Sequence, residues 1–468
     1  MPDLTFRFRA AAPDISADDS FANDLIGRKK LSEFMSQLVG NTDDSFVLAL
    51  DSPWGTGKTT FLRMWLEQAK KTGSPVVYFN AWENDFAADP LACLLGEVGG
   101  LLNQISGKAK VQPQVAKVKK LGARLLKRAI PIGARLLTAG FVDEKILKDV
   151  HDAVSDLTEK AAEEAIAEHE QSKQLTTEFR EALEKAVAKI AEDTSDKKRP
   201  LVFVIDELDR CRPTFAVELL ERAKHFFSVP GVIFILGVDK RALSTSLQTI
   251  YGVGFDAPAY LRRFIDFEVQ LPPGQSATFV ASLIQRFGLE DYSQHIGNEM
   301  RRSGYLVLYL AMFFEAAKLP LRTQEQTIAR LGVISRLPGF YNLLPLGLIP
   351  LLVLMASNAG LYEQLLSGAL DGPELLKRWT LNFPELAEFL RSDDQGKRFC
   401  TFLNAAAVLS RGENIKEAAA RLYPGDEEGE NPLSHSERKD FLWMAAELFN
   451  KRGLHAITNA LSLAAQFS

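Results

Sequence analysis

Cysteine is scarce: only Cys93, Cys211 and Cys400 occur in 468 residues, too few and too scattered for a disulfide or zinc framework. A reducing compartment is expected. Histidine occurs six times, with no pair at metal-ligand spacing and no Ser/His/Asp pattern. There is no excess of positive charge. Lys plus Arg is 55 against 60 for Asp plus Glu, a net charge of −5, so nothing global points to nucleic acid. The opening MPDLTFRFRAAAPDIS lacks a long apolar stretch, so no signal peptide is expected and the cytoplasm is the default location. Charge is missing altogether from Leu337 to Tyr362, which includes LLPLGLIPLLVLM. That run is long enough to span a bilayer. Pro345 and Pro350 interrupt it, so a buried core helix is favoured, with membrane contact as the alternative.

What is present is ordinary for a globular chain: 46% hydrophobic and 25% charged residues, with length for about two to four domains. Apolar runs at Phe46–Leu50, Val76–Phe79, Leu201–Ile205 and Val232–Val238, and a weaker one at Phe267–Leu271, read as strands buried on both faces. Helical patterns such as Lys58–Lys70 and Thr214–Ser228 lie between them. Alternation of this kind predicts an α/β fold with a parallel sheet and helices on both sides. Residues 98–198 interrupt it. Val98 to Val142 holds nine basic residues and no acid, and the segment from Asp143 to Asp196 turns mixed and acidic. The expected organisation is a core of 1–97 with 199–271, a helical insertion at 98–198, a helical lid at 272–372 and a helical C-terminal region at 373–468.

The chemistry is concentrated at two strand ends. Asp51–Thr60, DSPWGTGKTT, follows the first strand and opens a helix. In a P-loop, glycines let backbone N–H groups curl around phosphate oxygens at the positive end of a helix dipole. Trp54, Gly55, Thr56, Gly57, Lys58, Thr59 and Thr60 are the candidate cradle. Lys58 is expected on the β- and γ-phosphates and Thr59 on Mg2+. Ser52 stands where the usual pattern has its first glycine. The second strand end is LVFVIDELDR, residues 201–210, a buried strand closing in acids. Asp206 is the second candidate in the metal shell, and Glu207 the residue to orient or deprotonate an attacking water. Asp209 and Arg210 read as a supporting pair. Rival classes fit less well. LSRGE at Leu409–Glu413 looks superficially like an ABC signature but lies far beyond the acidic strand, and Val238-Asp239-Lys240 does not match the GTPase N-K-x-D.

Six segments taken together resemble the KAP family of P-loop NTPases: DSPWGTGKTTFL (51–62), YFNAWEND (78–85), VIDELDRCRPTFAVELLERAKHFF (204–227), FILGVD (234–239), YLRRFID (260–266) and LPLRTQEQ (319–326). The resemblance implies an additional-strand core with a helical lid, ATP as nucleotide, and Mg2+. It places Asn80 and Trp82 near the phosphates, with Trp82 either a packing wedge or a ligand contact, and Asp239 at a γ-phosphate sensor position. Arg262 or Arg263 falls at the position of a trans-acting finger, Arg322 at that of a lid sensor, and the segment Asp24–Arg28 over adenine. It further implies self-association, a partner protein encoded in the same locus, and a tie to bacterial phage defence. The expected function is ATP hydrolysis coupled to assembly or partner binding. The alternatives are a nucleotide-gated scaffold, or a peripheral membrane protein, with little turnover. The basic stretch 108–135 offers nucleic acid or an anionic inner-membrane surface a less favoured contact. On a helix over Gln114–Ile130 its apolar residues Val115, Val118, Leu121, Leu125 and Leu126 share one face, which is expected to pack on the chain's own insertion.

Overall fold

The computed structural model describes residues 15–465 apart from 17–18, 43, 88, 106–111, 130–158, 195–199, 228, 273, 275, 301, 338–344, 425–431 and 451–452. The chain divides into two compact units. One holds Asp14–Asn23 and Arg28–Pro272; the other holds Met1–Pro13, Asp24–Gly27 and Pro273–Ser468.

The first unit runs α1 (Lys29–Gly40), β1 (Phe46–Asp51), α2 (Lys58–Lys71), β2 (Val76–Asn80), α3 (Pro90–Ile105), α4 (Gln112–Ala129), α5 (Glu159–Thr194), β3 (Leu201–Asp206), α6 (Pro213–Phe227), β4 (Val232–Val238), α7 (Lys240–Tyr251), α8 (Ala257–Leu261) and β5 (Phe267–Gln270). All five strand runs read from the sequence are strands. They form one parallel sheet in the order β2-β3-β4-β1-β5. Side chains alternate between its faces. Val47, Ala49, Phe203 and Ile205 join one apolar cluster, and Leu48, Leu50, Val202 and Val204 the other. Helices cover both faces, which is why β1, β3 and β4 carry no polar alternation. The edge strand β5, FEVQ, does alternate and is largely exposed, so that run is not buried on both faces as expected. β4 lies between β1 and β3, so the two strands bearing the chemical motifs are separated by one strand. Register aligns their C-terminal ends: Asp51 is opposite Val238, Asp206 opposite Gly237, and Asn80 opposite Asp206.

The insertion is entered inside a helix, since α3 runs unbroken through residue 98. On α4, Val115, Val118 and Leu121 are buried and Leu125 packs against the same cluster, which also holds Phe179, Leu183 and Val187 of α5. The apolar face of the basic helix is therefore spent on the chain's own insertion. Gly122 is accommodated where a Cβ would meet Phe179 and Leu95 at 3.6 and 3.7 Å. Lys108, Lys110 and Arg135 lie outside the described residues, as do the side chains of Leu126, Lys127 and Arg128.

The second unit is helical among its described residues, with one apolar cluster running from Val280 to Leu461. Helices on both sides of residue 372 contribute to that cluster. Within the charge-free stretch, Pro345–Ser357 is a helix whose Leu348, Ile349, Leu351, Leu352, Val353 and Leu354 are all buried. A helix apolar on every side needs no charged face when it sits at the centre of a bundle. Gly347 permits the close approach: a Cβ there would lie 2.3 Å from Phe402 on the helix Asp394–Ser410. Among the described residues no helix is long and apolar enough to cross a membrane. LSRGE falls where that second helix ends at Ser410 and Gly412 turns with φ 67°.

Candidate functional site

Two glycines shape the loop between β1 and α2. Gly55 and Gly57 have φ of 76° and 85°, a region L side chains rarely adopt. Ser52 is not among the positive-φ residues, so the backbone there does not require glycine. It is buried, its N–H donates to Val238 O at 3.1 Å, and its hydroxyl lies 2.6 Å from that of Thr56. The serine at the first-glycine position is thus a fitted part of the loop. Arg28 braces the loop from below: Nη1 donates to Thr56 O at 2.8 Å, and Nη2 to Pro272 O at 2.9 Å.

Lys58 begins α2, is buried, and donates from Nζ to Ser52 O at 2.6 Å. Burial lowers its pKa; Asp209, Asp206, Asp239 and Asp51, in that order, oppose the shift. A buried cation ringed by acids and held by a single carbonyl is poised to exchange that carbonyl for an anion. Thr59 and Thr60 follow on the first turn, half-buried.

Asp206 ends β3 fully buried. Burial raises its pKa, and hydrogen bonds from the Thr59 hydroxyl, the Tyr78 hydroxyl and the Glu207 N–H oppose this. The opposing β4 residue is Gly237, where a Cβ would lie 2.7 Å from Asp206 Oδ1. Glu207 takes a left-handed backbone, φ 60° and ψ 25°, which costs a non-glycine residue of order 1 kcal/mol or more. Its side chain is engaged on both oxygens: Oε1 pairs with Arg210 Nη1 at 2.9 Å, and Oε2 accepts from Asn80 Nδ2 at 3.2 Å. Arg210 also lies over the Trp82 ring, 6.0 Å from its centroid.

Asp209, Arg210 and Trp82 are placed differently from expectation. Asp209 and Arg210 do not pair with each other. Asp209 accepts from the Trp54 indole N–H, and Arg210 pairs with Glu207. Trp82 is 54% exposed, so it is no packing wedge. Asp239 caps α7, with Oδ1 accepting from the N–H groups of Arg241 and Ala242 at 3.1 Å each. Arg262 and Arg263 follow α8, both exposed and, among the described residues, without an ion-pair partner. Arg322 is exposed in the first turn of the helix Leu321–Arg336, in the second unit. Asp24–Gly27 belongs to that unit as well. Sequence reasoning missed Tyr78 and the Trp54–Asp209 link. A tyrosine in the apolar run Val76–Phe79 is itself a signal, because its hydroxyl needs a partner.

Among the described residues no three His, Cys, Asp or Glu side chains form a metal cluster. A divalent cation here would be held by the Thr59 hydroxyl and the Asp206 carboxylate, with phosphate oxygens and water completing its shell. The P-loop strand separated by one strand from an acidic strand end, and the loop opening a helix on a buried lysine, define a P-loop NTPase. The family model for the KAP family P-loop domain matches residues 28–337, and the chain belongs to that family. Among solved structures it is similar to Aeropyrum pernix ORC2 in ADPNP–ADP complexes, at 16% identity and a TM-score of 0.32, covering 94% of this chain and 95% of that one. It is also similar to Drosophila ORC bound to DNA, at 14% and 0.31, covering 96% and 88%. AMPPCP-bound DnaA from Aquifex aeolicus follows at 12% and 0.30, covering 94% of each. Likenesses this distant say nothing about substrate or partner. No curated protein sequence matches the chain significantly.

Proposed function

We propose that this chain binds ATP with Mg2+ and hydrolyses it, using nucleotide state to govern self-association or the binding of a partner protein. The carrying observation is the convergence at the C-terminal end of the sheet of Lys58 on its left-handed glycine loop, the Thr59–Asp206 pair and Glu207. Phosphoryl transfer to water asks for those parts: a cationic cradle, a cation site and a residue to position water. Lys58 binds the phosphates, Thr59 and Asp206 orient the cation shell, and Glu207 takes the proton of the attacking water. A cytoplasmic role in bacterial phage defence fits the family resemblance. The anionic-surface contact through the basic helix is the weaker reading, because the apolar face it would use is buried.

The gated-scaffold reading has one observation in its favour. Both Glu207 oxygens are occupied, by Arg210 and Asn80, so basal turnover is expected to be slow until one is released. Phosphate release from Mg·ATP, measured against protein concentration, tests hydrolysis and assembly together. Exposed, unpaired Arg262 and Arg263 are the groups available to a neighbouring subunit. A finger of this kind contributes about 10³- to 10⁵-fold in rate. Alanine at either position should leave ATP binding intact and slow hydrolysis by about 10³-fold. Mixing that variant with Lys58→Ala protein should restore activity, since the latter still carries its arginines. Full activity from a demonstrated monomer would remove the trans role.

A further inference from the structure

We infer that Tyr78 is a positioning residue for Asp206, its hydroxyl holding the carboxylate in the orientation that receives the nucleotide's divalent cation. This rests on the ATP reading above and assigns a role to a residue outside the loop and the acidic motif.

β2 is the edge strand of the sheet, paired with β3 alone. Tyr78 sits opposite Val204, two residues short of Asp206, and its hydroxyl donates to Asp206 Oδ2 at 3.0 Å. The other oxygen, Oδ1, accepts the N–H of Glu207 at 2.9 Å. Donors on both oxygens stop the carboxylate from turning about its terminal bond, while Gly237 keeps the space beside Oδ1 open. Without Tyr78 the carboxylate would keep the Glu207 N–H and the Thr59 hydroxyl, and the latter is the group expected to turn to the cation. The carboxylate would then lose that fixed orientation, and partners behind a metal-shell carboxylate tune its affinity. The phenol suits the task. A phenol is a neutral O–H donor at neutral pH, with no charge of its own to compete with the cation. Arg63 holds it from outside, its guanidinium 5.6 Å from the ring centroid and its side chain also hydrogen-bonded to the phenol. Ring and arginine line a groove of about 500 Å³ with Glu67, Gly100 and Gln104. The tyrosine therefore reaches Asp206 from the sheet edge, on the side away from the neighbouring β4.

The test is a Mg2+ titration of fluorescent ATP-analogue affinity on the full chain, wild type against Tyr78→Phe and Gln104→Ala. Tyr78→Phe keeps the ring and removes only the donor. It should leave affinity without Mg2+ unchanged and raise the Mg2+ midpoint about tenfold, the lower end of what losing such a partner does. Gln104→Ala removes a groove-lining side chain that takes no part in holding Tyr78 or Asp206, so its Mg2+ midpoint should stay with the wild type. A Tyr78→Phe midpoint equal to wild type would overturn the assignment. So would an equal loss of affinity with and without Mg2+, which is the mark of a purely structural residue. A wild-type chain with no Mg2+-dependent affinity would instead overturn the ATP reading, and this inference with it.

Discussion

Replacing Lys58 by alanine is expected to yield a folded protein whose ATP affinity falls by about a hundredfold or more. Hydrogen bonds between ionised groups are each worth about 1.5–3 kcal/mol, and a lysine facing two phosphates in a buried site makes more than one. In the absence of nucleotide the same side chain is a burden. It is buried and charged, and among the described residues its only direct partner is Ser52 O. Burial holds its pKa below 10.5, so the folded state binds fewer protons than the unfolded chain between the lowered value and 10.5. Stability from this group therefore rises with pH across that window, and its charge costs stability below it. Removing the ammonium should leave the nucleotide-free melting temperature unchanged or raised, while the ATP-induced increase disappears. Thermal melts with and without Mg·ATP separate the two effects. A Lys58→Ala protein with a depressed melt on its own would mean that Lys58 is a structural strut.

The local features of this fold were legible because they depend on local rules. Continuous β-branched runs become strands buried on both faces, and a strand ending in a glycine-rich turn and Lys-Thr becomes a P-loop whatever lies elsewhere. Gly55 and Gly57 occupy the left-handed positions only glycine takes cheaply. Sheet order and register were not legible, and the missed contacts depend on them. Tyr78 meets Asp206 only because β2 pairs with β3 in one register, and Trp54 meets Asp209 only because one strand separates their loops. The charge-free helix Pro345–Ser357 was ambiguous for a different reason: a helix apolar all round satisfies lipid and a bundle core equally. What decides is the set of partners, with Gly347 pressed against Phe402. The left-handed Glu207 was not legible either, since glutamate carries no preference for that conformation. The acidic strand end identified the residue, and the backbone shows the strain it carries.

Glu207→Gln should bind Mg·ATP about as tightly as wild type and hydrolyse it about 10²- to 10⁴-fold more slowly, the range a positioned general base contributes. The amide is nearly isosteric but cannot accept the proton of the attacking water, so ATP should accumulate unhydrolysed on the protein. The substitution is structurally mild. Gln meets the same left-handed backbone cost as Glu, and its amide oxygen can still accept from Asn80 Nδ2, which now lies 3.2 Å from Oε2. What it loses is the charge opposite Arg210, a pair at 2.9 Å with the arginine one-third exposed, worth little in folding. On the gated reading the wild-type carboxylate must be freed from at least one of these partners, because together they fix the direction in which it points. Slow basal hydrolysis by the wild type, raised by a partner or by assembly, and trapping of ATP by the Gln variant under both conditions, would together mark Glu207 as the gated base. Single-turnover quench with labelled ATP, followed by recovery of the bound nucleotide, measures this directly. If the Gln variant turns over at the wild-type rate, the proton goes elsewhere, and the strain at Glu207 serves only to present Asp209 and Arg210.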